Sequence, residues 1–189
     1  MSSEHTFRIH GKTGTLDLVL TAIGVTLIVV CSWITIPFTV PFTLQTFAVF
    51  AVLLILGGKR GTAAIAVYVL MGAVGIPVFS GFAGGFSVLL GNTGGYIIGF
   101  ILMGILYWVL TGVAGEKLTV KVTALFLGLL VCYAFGTAWF MYLYMKNTGS
   151  VGLMTVLSWC VFPFIIPDLV KLGTAVLVSK RIEPVMKRQ

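Results

Sequence analysis

Long apolar runs alternate with short breaks rich in glycine, proline or charge along almost the whole chain. A run of about 20 apolar residues is long enough to cross a bilayer as a helix. The pattern predicts spans from Leu16 to Ile34, Leu44 to Leu56, Thr62 to Gly75, Gly95 to Val113, Val122 to Met145 and Val151 to Ser179. The second has only about 13 residues, too few to cross a hydrocarbon core of about 30 Å unaided, so the loop before it must dip inward. That loop holds Pro37 and Pro41, which break any helix and leave extended backbone, with Thr39, Thr43 and Gln45 as its polar groups. The last run is interrupted by Pro163 and Pro167. Residues 1–15 are a polar tail, which carries both histidines, His5 and His10. The expected fold is therefore an all-α integral membrane protein with six transmembrane helices, a single domain over residues 1–189.

Composition sharpens the class. Hydrophobic residues make up 59% and charged ones 9%, with a mean hydropathy of +1.11, against about 25% charged in soluble domains. The net charge of +7 reports topology rather than nucleic-acid binding. Arg8, Lys12, Lys59, Arg60, Lys117, Lys121, Lys180, Arg181, Lys187 and Arg188 all fall on the side of the termini, Lys146 lies opposite, and Lys171 is inside the last span. By the positive-inside rule both termini are cytoplasmic. The proline loop, the glycine-rich loop and the Lys146 turn then share the outer face. Cys31, Cys132 and Cys160 sit within apolar runs without metal-ligand spacing and read as buried small hydrophobes.

Gly75 to Phe100 departs most from an apolar helix. GIPVFSGFAGGFSVLLGNTGGYIIGF clusters glycines at Gly81, Gly84 and Gly85 and again at Gly91, Gly94 and Gly95. Paired glycines disfavour helix and free backbone groups that lipid cannot satisfy, so this segment is expected to pack into protein or line a cavity. The intramembrane charges, Asp168 and Lys171, are spaced i and i+3 on one helical face and can pair. Charge at membrane depth costs a few kcal/mol and is a functional hypothesis by default.

The glycine stretch, with Ile34-Thr35-Ile36-Pro37, Thr43-Leu44-Gln45-Thr46-Phe47 and Pro167-Asp168-Leu169-Val170-Lys171, resembles the BioY family. Its members are the biotin-specific S-components of energy-coupling-factor (ECF) vitamin transporters. The resemblance covers nearly the whole chain beyond the first dozen residues. One departure is Asn92, where the family usually has proline. The resemblance implies a high-affinity biotin-binding subunit of the cell membrane that captures biotin from the outer face. Delivery inward would require a coupling transmembrane subunit and two ATP-binding subunits, which alone would use ATP; the chain itself would carry no cofactor or metal. The family docks its coupling subunit on a small-residue face of the first helix, of which Ala22, Gly24 and Thr26 are the remnants here.

Biotin offers two ureido N–H donors, a ureido oxygen, an apolar sulfur-containing ring and a tail ending in a carboxylate. Asp168 could accept from the ureido N–H groups. Lys171 could donate to the ureido oxygen or neutralise the carboxylate. Asn92, Gln45 and Thr43 offer polar side chains, and Gly84, Gly85, Thr93, Gly94 and Gly95 offer backbone donors. Phe79, Phe82, Phe86 and Tyr96 could sandwich the rings. The residues alone would equally admit other small vitamins.

Two other classes compete. A membrane hydrolase would need a base for its nucleophile; Ser87 with Lys171 could form a serine–lysine dyad, but the spans contain no histidine. A solitary proton-coupled carrier for biotin or another vitamin should show internal repeats and a coupling carboxylate. Asp168 could serve as that carboxylate, yet no clear repeat is present. No phosphate-binding loop motif occurs, which rules out an ATPase of the P-loop type within this chain.

Overall fold

The computed structural model describes residues 11–37 and 40–186, without the side chains of 11–13 and 183–186. Most of the expected polar tail, Thr39, Lys187 and Arg188 lie outside the described residues. The elements are α1 (Gly11–Trp33), β1 (Thr35–Ile36), β2 (Phe42–Thr43), α2 (Gln45–Ala73), a 3-10 turn (Ser80–Phe82), α3 (Phe86–Leu89), α4 (Gly94–Ala114), α5 (Leu118–Asn147), α6 (Leu153–Cys160) and α7 (Phe162–Met186). The first helix thus takes in residues 11–15, which the polarity of the sequence had assigned to the tail.

Among the described residues five helical stretches are long and apolar enough to cross a membrane, against the six spans expected. The difference lies in α2, where Gly57 adopts φ 78°, ψ 175° inside an otherwise continuous helix. That conformation is open at low cost only to glycine, and it folds α2 back on itself. Gln45 Nε2 donates to Tyr68 Oη at 2.9 Å across 23 positions, which a straight helix would hold about 35 Å apart. The turn is tighter than the sequence suggested, since Gly58–Gly61 are already helical. Arg60 pairs with Asp17 at 2.6 Å, tying this turn to the start of α1. Asp17, Lys59, Arg60, Trp108 and Glu116 line one depression at that end.

The folded-back α2 is the centre of the bundle. Its most apolar window is 61% buried, against 22–39% for the other spans, and it packs on α1, α4 and α7 while α4 packs on α5. Its N-terminal arm contributes Ala48, Val49, Phe50 and Leu53, all fully buried. Close approach between α4 and α5 is set by small residues: a Cβ on Gly95 would fall 2.4 Å from Trp139 Cβ.

At the other end the proline loop forms a short antiparallel ribbon, Thr35 opposite Thr43 and Ile36 opposite Phe42, and carries Val40, Thr43 and Gln45 into the buried interior. This is the inward dip that the short second run required. The glycine-rich stretch packs over it. Ser32 Oγ donates to the Val78 carbonyl at 2.6 Å, Trp33 Nε1 to the Pro77 carbonyl at 3.0 Å, and Thr35 Oγ1 shares a 2.7 Å bond with Ser80 Oγ. The last apolar run breaks at Val161, between α6 and α7, so Pro163 occupies the first turn of α7, where a missing N–H costs nothing.

Gly57 should tolerate a side chain poorly because of its backbone conformation, although the space around its missing Cβ is open. Gly57→Ala is expected to lower stability by about 1–3 kcal/mol, the cost of a side chain in that backbone region. Gly112→Ala, exposed in α4 with nothing near its missing Cβ, should be neutral or slightly stabilising. Thermal unfolding of both variants in detergent checks this, and equal midpoints would show that α2 does not depend on Gly57.

Candidate functional site

The ribbon, the glycine-rich segment, the start of α2 and helices α4 to α7 line a cavity of about 260 Å³. Its walls are mainly apolar, from Val40, Phe79, Ile97, Phe100, Leu129 and Phe164 among others. A few convergent polar groups interrupt them, the usual composition of a small-molecule site.

The strongest of these is a buried charged cluster on α7 and α5. Asp168 is 3% exposed and Lys171 7%. Lys171 Nζ donates to Asp168 Oδ1 at 2.8 Å, as the i, i+3 spacing predicts. Tyr133 Oη donates to Asp168 Oδ2 at 2.6 Å. The Lys171 ammonium also lies 4.2 Å from the centroid of the Phe42 ring, a distance at which the ring face attracts a cation. Phe42 in turn stacks on Phe164, with centroids 6.0 Å apart. A carboxylate has about four lone-pair sites and an ammonium three donors, so the cluster keeps both acceptors and donors for a ligand.

A second polar group comes from the start of α2. The Gln45 amide donates to Tyr68 Oη, and its backbone N–H donates to Thr43 Oγ1 at 3.2 Å. Tyr68 meets Phe79 edge-on at 5.5 Å, which fixes Phe79 in the cavity wall. On the α4–α5 side Tyr96 Oη shares a 3.1 Å bond with Thr137, and the Tyr96 carbonyl accepts from Cys132 Sγ at 3.5 Å. Cys132 and Cys160 line the cavity as free, buried thiols.

The cavity therefore brings together Asp168, Lys171, Gln45, Thr43, Phe79, Thr93 and Tyr96 from the residues the sequence pointed to. The remaining candidates stand elsewhere. Phe82 is 63% exposed and holds a φ of 58°, with its ring 4.9 Å from that of Trp33; Phe86 is equally exposed. Asn92 lies exposed in the turn before α4. The N–H groups of Gly85 and Gly94 are spent on the carbonyls of Gly72 (2.7 Å) and Gly91 (3.0 Å). Gly84 presses on the Ile76 backbone and Gly95 on Trp139. These glycines build the loop and its seat rather than offering free donors to the cavity. On α1, Ala22 and Thr26 are exposed, but Gly24 is buried. A Cβ there would fall 2.9 Å from Leu56 Cδ1 and 3.2 Å from Ala64 Cβ, so Gly24 serves the contact between α1 and α2.

Besides the wall residues Phe100 and Phe164, sequence reading missed Tyr133, which lines the cavity, and Tyr68, which stands behind it bonded to Gln45. Tyrosines of membrane helices collect at the interfaces. One near the middle of an apolar span, as each of these is, is the signal that could have singled them out.

The model of the BioY family matches residues 3–188 of the chain. Biotin transporter BioY of Thermotoga maritima is 41% identical over 168 residues, covering 88% of this chain and 95% of the relative. Probable biotin transporter BioY of Pyrococcus horikoshii is 41% identical over 145 residues, covering 76% and 81% respectively. Among solved structures, the S-component for biotin from an ECF-type ABC transporter superposes with a TM-score of 0.79 over 95% of this chain and 94% of that one, at 22% identity. At that identity the likeness establishes the shared fold.

The buried pair makes a test that needs no ligand. Lys171→Met leaves the Asp168 carboxylate unpaired at 3% exposure, and breaking a buried pair from one side costs about 3–5 kcal/mol. The thermal midpoint should fall on the order of 10 °C. Asp168→Asn combined with Lys171→Met keeps an acceptor for Tyr133 and removes both charges, so most of the loss should be recovered. A double variant as unstable as the single one would show that the cost lies in packing.

Proposed function

The chain belongs to the BioY family, and we propose that it is the biotin-binding membrane subunit of an ECF-type transporter. In this reading the chain captures biotin from the outer face of the cell membrane. It then delivers biotin inward together with a coupling transmembrane subunit and two ATP-binding subunits. The observation that carries the reading is the Tyr133–Asp168–Lys171 cluster, buried in the wall of an otherwise apolar cavity. A ureido group needs an acceptor for its N–H groups and a donor for its oxygen within a few ångströms of each other. Asp168 and Lys171 supply both, and Phe79, Phe100 and Phe164 surround them with apolar surface for the fused rings. Gln45, Thr43, Thr93 and Tyr96 complete the proposed contacts. Charge-assisted hydrogen bonds in such a setting are the strong ones.

The orientation follows from the charges. Counting the two arms of α2 separately gives six crossings, with both termini on one side. Lys59 and Arg60 stand beside the start of α1 through the Arg60–Asp17 pair, and Lys117, Lys121, Lys180 and Arg181 fall at the same end of their helices. That end is cytoplasmic by the positive-inside rule, and the mouth formed by the ribbon and the glycine-rich segment is then external. Ala22 and Thr26, on the exposed face of α1, are the residues left to receive the coupling subunit.

Isothermal titration of the purified chain with biotin and with other vitamins tests the ligand. Biotin should bind and the others should not; tighter binding of a different vitamin would overturn the assignment. Asp168→Asn should weaken biotin by roughly ten- to a hundredfold, the worth of a charge-assisted bond. The Asp168→Asn, Lys171→Met double variant should fold but fail to regain affinity. Near-parental binding by it would remove the pair from the site.

Orientation is open to impermeant thiol labelling of intact cells, because the native cysteines are all buried. A cysteine at Asn147 should label from outside. A cysteine at Lys59, exposed in the α2 turn, should label only after the membrane is opened. The reverse pattern would place the cavity mouth on the cytoplasmic side.

A further inference from the structure

The end of the bundle opposite the cavity carries an open depression of about 610 Å³, bounded by the start of α1, the α2 turn and the end of α4. Three glycines line it, Gly14, Gly57 and Gly112, and a Cβ on any of them would meet nothing within 4 Å. The depression exists because those side chains are missing. One flank is apolar and faces lipid, with Leu18 73% exposed and Trp108 46% exposed. A tryptophan in that position marks the level of the membrane interface. The rest of the wall is charged. Asp17 is taken by Arg60 at 2.6 Å and Glu116 by Lys121 at 3.3 Å, so both carboxylates of the wall are balanced. Lys59 is exposed, and no ion pair among the described residues balances it. Arg60 is half-exposed, and a guanidinium has five N–H donors, so it keeps donors for an anion beyond the bond to Asp17.

Resting on the orientation given above, we propose that this depression binds the headgroup of an anionic phospholipid of the cytoplasmic leaflet. The phosphate lies between Lys59 and Arg60, and the glycerol and first acyl carbons run along Leu18 and Trp108. The flank continues into exposed apolar residues of α1 and α4, among them Val19, Val109 and Val113. A lipid therefore reaches the depression without leaving the bilayer. The cytoplasmic leaflet is also where anionic lipid draws basic residues to the surface. A headgroup seated there bridges α1, the α2 turn and α4 at the end of the bundle remote from the biotin cavity.

The test is thermal unfolding of the full purified chain in a neutral detergent. Phosphatidylglycerol, phosphatidylcholine with the same acyl chains, or inorganic phosphate is added in separate titrations. Only phosphatidylglycerol should raise the midpoint saturably. Lys59→Gln should weaken that response about fivefold, the worth of one basic residue at an anionic surface. Gly112→Leu should abolish it, because the new side chain enters the open space of the depression and not a neighbouring helix. Both variants should keep the parental affinity for biotin, since neither position lines the cavity. Equal responses to the two phospholipids, or a parental response in both variants, overturn the proposal. A response to inorganic phosphate with the same sensitivity to both variants overturns it in favour of a free-anion site. Variants that respond to lipid like the parent but lose association with a purified coupling subunit give the depression to that partner instead. The titration reads the same whichever way the chain faces. A cysteine at Lys59 that labels from outside therefore overturns the orientation, and with it the leaflet, independently of the lipid result.

Discussion

Inside a bilayer every backbone N–H and C=O must find its partner within the protein, and that constraint shapes everything non-helical in this chain. The ribbon at Thr35–Thr43 and the segment from Val74 to Thr93 are the irregular parts of the described membrane portion. Their polar groups are met by the neighbouring helices, by each other or by themselves: Ser32 and Trp33 of α1 reach the carbonyls of Val78 and Pro77, Gly85 N–H donates to Gly72 of α2, Phe79 N–H donates to Ala83, and Thr35 Oγ1 bonds Ser80 Oγ. Lipid offers none of these partners. Both segments are therefore held against the helices, and the cavity lies where they meet them. The site is a consequence of having non-helical backbone at this depth.

The same low dielectric governs the charges. Asp168 and Lys171 would each be prohibitive alone, and together they remain costly unless further bonds are made. Tyr133 supplies one such bond and the face of Phe42 another attraction. Helix α5 and the ribbon are thus held to α7 by interactions that exist only because the pair is there. The pair defines the polar pole of the cavity.

Much of this was legible in the sequence, and the boundary is physical. The spacing of Asp168 and Lys171 on one helical face, and the inward dip forced by the short run after Pro41, follow from helix geometry and bilayer thickness, which act locally. The role of Gly85 and Gly94 was not legible. A glycine-rich stretch announces that backbone comes close to something, but whether its N–H groups meet a ligand or a carbonyl depends on tertiary partners such as Gly72. Phe82 shows the same limit, since an aromatic beside a site can turn outward onto Trp33 as easily as inward. Tyr133 was hidden by the opposite error: an isolated tyrosine in an apolar run has no motif around it, and only its contact with Asp168 gives it meaning.

Helix α1 shows how one element serves two surfaces without conflict. Gly24 faces inward, where the missing side chain lets Leu56 and Ala64 come close. Ala22 and Thr26 lie on the opposite face, because two residues along a helix turn it by about 200° while four return it to within about 40°. Thr26 Oγ1 bonds the Ala22 carbonyl at 2.9 Å within its own helix, so these two positions present small side chains, with their polar group already satisfied, between the larger exposed Leu18, Ile23 and Val30. Such a face can lie against lipid or against another helix at close range with no unsatisfied group in either state. A surface proposed to be stable free and also to associate needs that property. It is obtained here without drawing on Gly24, whose packing holds α1 to the folded-back α2 and so preserves the ribbon and the cavity.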